Sequence, residues 1–357
     1  MKILIAADWH GEIYAEAIFK GFESLGHKTS KFSWKEYFYH YQYSDIYKTE
    51  TNRIISLYYK AQNKFILGPA IWKINRDLLK KCSEVKPDLV FVYRGTHIFP
   101  KTIAAIKEKN NCKIFGYNND DPFSIGYPKY FWRYFKKSIP FYDHIFAYRP
   151  KNIDDYKSLN YNNISILKSY YLKDKNFHIN ELPTDKYKCD VIFIGHFEDD
   201  GRDEAIELLI KNDINIKLYG TDWEKSKKYK MFFNYFGGDV EPLYGDNYNL
   251  ALNSAKIALV FLSKLNNDAY TRRCFEIPAT KTMMMAEYTD ELSKMFKEGE
   301  EAEYFRDKIE LLKKVKYYLA NEGELKKVGG NGYLRLVKDG HEVVDRCREV
   351  IRVYEQC

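Results

Sequence analysis

Short blocks of consecutive apolar residues alternate along this chain with longer stretches in which apolar residues recur every third or fourth position. That is the pattern of buried strands separated by amphipathic helices. KILIAAD ends in a polar turn from Asp8 to Gly11, and EIYAEAIFKGFESLG then repeats apolar residues at helical spacing until Gly26 stops it. HKTSKFSW predicts a second strand, and a long aromatic, helical stretch follows to about Glu84. DLVFVYRG, CKIFGYN and HIFAYR predict further short buried strands with helices between them. Such alternation builds a parallel sheet with helices on both faces.

The same grammar restarts at CDVIFIGHF (189–197). It continues with a helix from about Arg202, the strand NIKLYG, a helix from about Asn247, the strand IALVFLS, a helix around Glu276, the strand TMMMAEY and further helices. KDKNFHINELPTDKYK (173–188) is polar, contains Pro183 and lacks a period, which predicts a linker. The expected organisation is an α/β fold of two Rossmann-like parallel-sheet lobes facing a central cleft. The first spans 1–172 and the second 189–340, and a terminal helix over 341–357 either packs on the second lobe or crosses back to the first. Open parallel sheets bind ligands beyond the carboxyl ends of their strands, so the strand-end loops are where chemistry is expected.

The length of 357 residues fits two domains, and 45% hydrophobic with 30% charged residues excludes a disordered chain. A net charge of +7 favours acidic ligands but lacks the concentrated basic signature of a nucleic-acid-binding module. Aromatic residues reach 17%, which reflects either an AT-rich genome or a surface on which sugars and bases stack. Six cysteines without a Cys-x-x-Cys pair argue against a disulfide scaffold or structural zinc and fit a reducing cytoplasm. No apolar run approaches the roughly 18 residues of a spanning helix, and no leader pattern opens the chain, so any membrane contact is expected to be peripheral, at the inner face. GYPKYFWRYFKKS offers a surface for it: over 127–137, Tyr127, Tyr130, Phe131, Tyr134 and Phe135 fall at helical spacing opposite Lys129, Arg133, Lys136 and Lys137. This predicts either a core helix with a solvated face or an interfacial helix on anionic headgroups.

The segment DAYTRRCFEIPATKTMMMAEYTDEL (268–292) is the most informative chemically. Asp268 and Glu276 are separated by seven residues that include Arg272 and Arg273. A carboxylate there can accept two hydrogen bonds from a ribose diol while guanidinium forks suit a diphosphate; the plain alternative is an ion pair of Glu276 within its own lobe. Upstream, FIGHFEDDGR ends a strand at Gly195 and opens a helix near Arg202, an arrangement that receives phosphate oxygens or simply makes a tight turn. KLYGTDW ends a strand at Tyr219 and Gly220, and Trp223 and Tyr248 either stack on a base or cover the core edge. In the first lobe, Asp8, Trp9, His10 and Gly11 follow the first strand. His10 there either orients or deprotonates an acceptor hydroxyl, or holds its loop. His97, Asn119, Asp120 and Asp121 lie on similar loops that can hold acceptor hydroxyls. The Asp120-Asp121 pair reads as an oxygen-rich metal site or, more simply, as a turn before Pro122.

RRCFEIPATKTMMMAEYTDELSKMFKEGEEAEYF resembles the donor-binding segment of GT-B glycosyltransferases of the CgeB-like, spore-maturation-protein type. The likeness extends in order through VIFIGHFEDDGRDEAIELL, IKLYGTDW and YNLALNSAKIALVF, and the first lobe's opening segment and NNDDPFS loop also look like that family. The resemblance implies a GT-B enzyme that transfers a sugar from a nucleotide-sugar held mainly by the second lobe to a hydroxyl of an unidentified acceptor, with no cofactor and no essential metal. It implies that Glu276 binds the ribose hydroxyls and that Asp268 stands where retaining enzymes place an acid near the donor sugar. The sequence departs from the family at Thr280-Lys281, where Cys-Gly is usual, so Lys281 is a candidate to supply a charge to the diphosphate. A catalytically silent nucleotide-sugar-binding partner protein and a nucleotide-sugar epimerase of the same fold are the alternatives.

Overall fold

The structure is a computed structural model that describes residues 1–41 and 52–357. Residues 42–51 of the expected long helical stretch lie outside the described residues. The chain divides into two compact units, Met1–Lys168 with Val343–Cys357, and Ser169–Glu342.

The first unit runs β1 (Lys2–Ala7), α1 (Ala17–Ser24), β2 (Lys28–Ser33), α2 (Arg53–Phe65), α3 (Pro69–Val85), β3 (Leu89–Tyr93), α4 (Pro100–Asn110), β4 (Lys113–Asn118), α5 (Arg133–Ser138), β5 (His144–Ala147), α6 (Pro150–Lys157) and β6 (Ile164–Ile166). The second runs β7 (Cys189–Ile194), α7 (Arg202–Ile210), β8 (Ile216–Tyr219), α8 (Tyr229–Phe236), α9 (Gly245–Asn253), β9 (Ala255–Val260), α10 (Arg273–Ala279), β10 (Met283–Glu287), α11 (Asp290–Met295), β11 (Glu303–Phe305), α12 (Lys308–Ala320) and α13 (Glu322–Lys338). The last helix, α14 (Val343–Gln356), belongs to the first unit.

Each unit holds one parallel sheet, of order β2-β1-β3-β4-β5-β6 and β11-β10-β9-β7-β8 respectively. Both are α/β lobes of the expected Rossmann-like kind. The strand order reverses beside β1 in one and beside β7 in the other, and that reversal opens a crevice at the carboxyl ends of the strands. β1, β3 and β4 are buried almost throughout, as strands covered by helices on both faces must be. Proline opens α3, α4 and α6, where its missing N–H costs nothing.

The structure departs from the sequence reading in two places. The aromatic stripe over 127–137 is helical only from Arg133. Pro128 and the turns before it break the helix, yet Tyr127, Phe131 and Tyr134 still pack on the core and Phe135 is fully buried within it. The expected linker is fastened to the second unit: the Phe177 and Ile179 amides donate to Asn249 and Asn253 at 3.2 and 2.8 Å, and His178 Nδ1 lies 3.0 Å from the Thr280 carbonyl. Of the two placements open to the terminal helix, α14 takes the crossing back to the first unit and packs on α1. A Cβ at Gly21 would stand 2.6 Å from Cys347 Sγ, so the absence of a side chain lets the two helices approach.

Candidate functional site

In the second unit the loops after β7, β9 and β10 meet at the carboxyl edge. Gly195 donates its amide to the Tyr219 carbonyl at 2.8 Å, and its own carbonyl accepts from Trp223 Nε1 at 2.9 Å. A Cβ at Gly220, where φ is +148°, would lie 1.9 Å from that carbonyl, so only glycine fits this crossing. Trp223 is 1% exposed and packs on Phe193 and Phe232, which corrects the base-stacking reading: the indole closes the core edge. Tyr219 turns its ring towards Tyr187.

Arg202 corrects a second expectation. Its guanidinium is buried, grips both oxygens of Asp200 at 2.8 and 2.6 Å, and donates to the His196 carbonyl at 2.6 Å. It is therefore committed to shaping the loop from His196 to Gly201 and does not reach out to a phosphate. Glu198, which the sequence did not single out, lies 2.8 Å from His196 Nε2 and accepts from the Lys264 amide at 3.2 Å. Burial opposes its ionisation, but hydrogen bonds from His196 and Ser263 and the charge of Arg202 outweigh burial and lower its pKa to about 2. Lys264 Nζ then meets Glu287 at 3.2 Å, so one run of charges joins the strand-end loops of β7, β9 and β10.

Glu276, on the first turn of α10, is buried and held at both oxygens. Arg272 Nε lies 2.6 Å from Oε1, and the Tyr248 hydroxyl donates to Oε2 at 2.7 Å. The ion pair read from the sequence as the plain alternative is thus present, and it fixes the carboxylate's direction. A carboxylate has about four lone-pair directions, so two remain for a diol. Burial first and then Glu276 raise the pKa of Tyr248 well above the ordinary tyrosine range, which keeps the phenol a donor. Arg272 stacks on Tyr170 at 4.6 Å. Arg273 lies over Phe193, with Nη1 3.2 Å from where a Gly195 Cβ would stand, and its buried Nε has no hydrogen-bond partner among the described residues. Asp268, half-buried between β9 and α10, donates its amide to the Ser263 carbonyl at 3.0 Å.

Lys281 does not point to this edge. Its Nζ sits over the Tyr333 ring at 5.2 Å, and its φ of +60° ends α10 in the left-handed conformation usually given to glycine. We expect Lys281→Gly to raise stability by about 1 kcal/mol, read as an upward shift in thermal midpoint.

In the first unit the strand-end loops of β1, β3 and β4 are joined by Arg94, a residue the sequence reading missed. Arg94 Nη2 lies 2.8 Å from Asp120 Oδ2, and Nη1 lies 3.8 Å from Asp8 Oδ2. His10 Nδ1 lies 2.8 Å from Asp8 Oδ1, and its ring leans on Tyr14. Burial works against the Asp8 charge, but His10 and Arg94 outweigh it and hold the carboxyl below its usual range. Trp9 (φ +55°) and Gly11 (φ +82°) bend the loop, and Trp9 Nε1 anchors it to the Phe32 carbonyl at 2.9 Å. Asn119 is half-buried on the next loop, beside Asp120. Asp121 is fully buried and turned elsewhere, accepting from the Phe123 amide and Asn152, so the Asp120-Asp121 pair is a turn and its carboxylates diverge.

His97 corrects a third expectation. It is stacked on Trp34 at 5.8 Å and bonded to Thr96 Oγ1 and Asn63 Oδ1, inside the core. Burial pushes its pKa down to about 3, and burial pushes that of His144 down to about 4. A histidine with a depressed folded pKa binds its proton more readily when unfolded. Stability is therefore intact above about 6.5 and falls as pH drops towards the folded values. We expect about 1.4 kcal/mol of loss per pH unit from His97 alone between pH 6 and about 4, and a shallower acid limb in His97→Gln, measured as thermal midpoint against pH.

Residues 202–352 match a family model described as glycosyl transferase-like, which covers under half of the chain. No curated protein matches the sequence. The solved structure of sucrose-phosphate synthase from Thermosynechococcus elongatus is similar over 99% of this chain and 98% of its own, with a TM-score of 0.70 at 11% identity. That of HepE from Anabaena in complex with UDP is similar over 100% of both chains, with a TM-score of 0.65 at 9% identity, and HepE is also seen with UDP-glucose. A Listeria monocytogenes protein described as a putative UDP-N-acetylglucosamine 2-epimerase is similar over 98% of this chain and 94% of its own, with a TM-score of 0.56 at 11% identity. Identities this low speak for the fold. The two parallel-sheet lobes have the GT-B fold, and the carboxyl-terminal part of the chain is glycosyl transferase-like.

Proposed function

We propose that this GT-B-fold chain is a glycosyltransferase that takes a sugar from a nucleotide-sugar bound at the carboxyl edge of its second sheet. The observation that carries the reading is Glu276: a buried carboxylate held in one orientation by Arg272 and Tyr248, on the helix that also carries Arg273 to Gly195. A preset acceptor for a ribose diol and a guanidinium beside a glycine at a strand end are what a nucleoside diphosphate requires. The UDP and UDP-glucose held by HepE, and the glycosyl transferase-like match over 202–352, support the same assignment.

Asp268 is assigned to the donor sugar, with retention of configuration, and Arg273 stabilises charge developing on the leaving diphosphate without an essential metal. Asp8 and His10, steadied by Arg94 and Asp120, form the acceptor-side cluster, with His10 as base toward an acceptor hydroxyl. The departure at Thr280-Lys281 is a helix end in this structure, so it gives no support to a silent protein.

A thermal-shift screen of the full chain against nucleoside diphosphates and their sugar conjugates tests the proposal. A selective stabilisation, followed by sugar transfer that survives a chelator and requires an acceptor, is the expected result. Conversion of the sugar with no acceptor present would assign the chain to epimerisation, and no shift with any nucleotide would overturn the reading.

A further inference from the structure

Helix α2 carries a second apolar stripe on the side away from the core of its lobe. Ile54, Leu57, Tyr58, Ala61 and Phe65 follow at helical spacing and share one face, which is turned to solvent: Ile54 is 76% and Leu57 68% exposed. The inward side mixes apolar and polar residues: Tyr59 packs on the core and Ile66, at the helix end, is buried in it. Gln62 is buried and accepts from the Ala70 amide at 2.8 Å, and Asn63 Oδ1 lies 2.7 Å from His97 Nε2. A contiguous exposed apolar stripe of this kind favours a surface that covers it. The apolar exposure continues past the helix through Leu67 to Trp72 on the first turn of α3, which is 67% exposed.

The charge around this stripe indicates what covers it. From Arg53 to Lys73 the chain carries four basic residues, Arg53, Lys60, Lys64 and Lys73, and no Asp or Glu, while Arg76 beyond them is paired with Asp77 at 2.9 Å. Lys60 and Lys64 stand on α2 along the Leu57 side of the stripe, by helical spacing. A second copy of this face would set these cations against one another, whereas an anionic lipid surface complements them. We propose that the face formed by α2 and the start of α3 seats this chain on an anionic bilayer, with α2 in the plane of the interface and Ile54, Leu57 and Phe65 in the headgroup boundary. Among the described residues no helix is long and apolar enough to cross a membrane, so the contact is peripheral. The aromatic segment singled out in the sequence borders this face: the Tyr130 ring lies 5.6 Å from that of Phe65, and Arg133 donates to the Phe65 and Ile66 carbonyls.

The experiment is co-sedimentation of the full chain with phosphatidylcholine vesicles and with vesicles that also contain phosphatidylglycerol. Binding to the anionic vesicles alone is expected, with release at about 0.5 M salt as the charges are screened. Leu57→Glu and the pair Lys60→Glu with Lys64→Glu should each lower partitioning about tenfold or more. Leu334→Glu, at a residue 65% exposed on α13, should leave it unchanged. Because Leu57 supports no core, its Glu variant should melt with the parent, which separates lost docking from lost folding. Equal binding to both vesicles, no binding to either, or an unaffected Leu57→Glu would overturn the proposal. A concentration-dependent dimer abolished by Leu57→Glu would assign the face to a second copy instead.

Discussion

Glu276→Gln should abolish the stabilisation that a nucleoside diphosphate confers on the parent chain. At about a hundred times its dissociation constant a ligand adds about 2.7 kcal/mol to the folded state, enough to read as a clear midpoint shift. The amide keeps the size of the carboxylate but loses its charge, and hydrogen bonds to a charged acceptor contribute about 1.5–3 kcal/mol each. Losing two of them to a diol would lower affinity at least a hundredfold, and the shift at the same ligand concentration would collapse. The substitution also leaves Arg272 facing a neutral partner in a buried position, so the basal midpoint should fall by an amount matching about 1–3 kcal/mol. The two effects separate the readings. If the nucleotide-dependent shift survives while the basal midpoint falls, Glu276 is an internal ion-pair partner and the donor site lies elsewhere. Asp268→Asn should behave differently, keeping the nucleoside diphosphate shift and losing turnover, because its assigned partner is the sugar.

The alternation of strand and helix was legible because seven of the eleven strands among the described residues, β1, β3, β4, β5, β7, β9 and β10, are buried runs that announce themselves without any long-range information. β6 and β11 were not, since each has only three residues and such a run has no period to detect. Spacing also misled at 127–137, where the aromatic residues recur as in a helix but reach the core from a turn broken by Pro128. The candidate site was half legible. Residues within one short segment, such as Arg272 and Glu276 one helical turn apart, reveal their pairing by number alone. Arg94 did not: it looks like any polar residue ending a strand, and the two carboxylates it joins come from loops after β1 and β4 that only the sheet order brings together. Burial was the least legible quantity. The same strand-end position reads alike whether a histidine faces solvent, as His10 does in part, or stacks inside the core, as His97 does. Periodicity likewise shows that α2 has an apolar face without saying which way that face points.

Arg202 is where that ambiguity has the largest consequence for stability. Its guanidinium is 1% exposed and its main partner, the Asp200 carboxylate, is 5% exposed, so neither charge can recover hydration if the other is removed. Arg202→Met keeps the length and apolar stem of the side chain, so its cost comes from the stranded Asp200 and from the lost bond to the His196 carbonyl. Breaking one side of a buried pair costs about 3–5 kcal/mol, which should lower the thermal midpoint of the second unit by about 6–20 °C. Protein that remains folded below this midpoint should still bind a nucleoside diphosphate, within a few-fold of the parent. A phosphate-binding arginine would give the opposite result, an unchanged midpoint with affinity lost. A second substitution provides an internal control: Asp200→Leu added to Arg202→Met replaces the pair by apolar contact and should recover most of the loss, because a buried pair contributes little beyond an apolar replacement. Failure of that rescue would show that the guanidinium's bond to His196, rather than its charge pairing, holds the loop that carries Glu198 to Lys264.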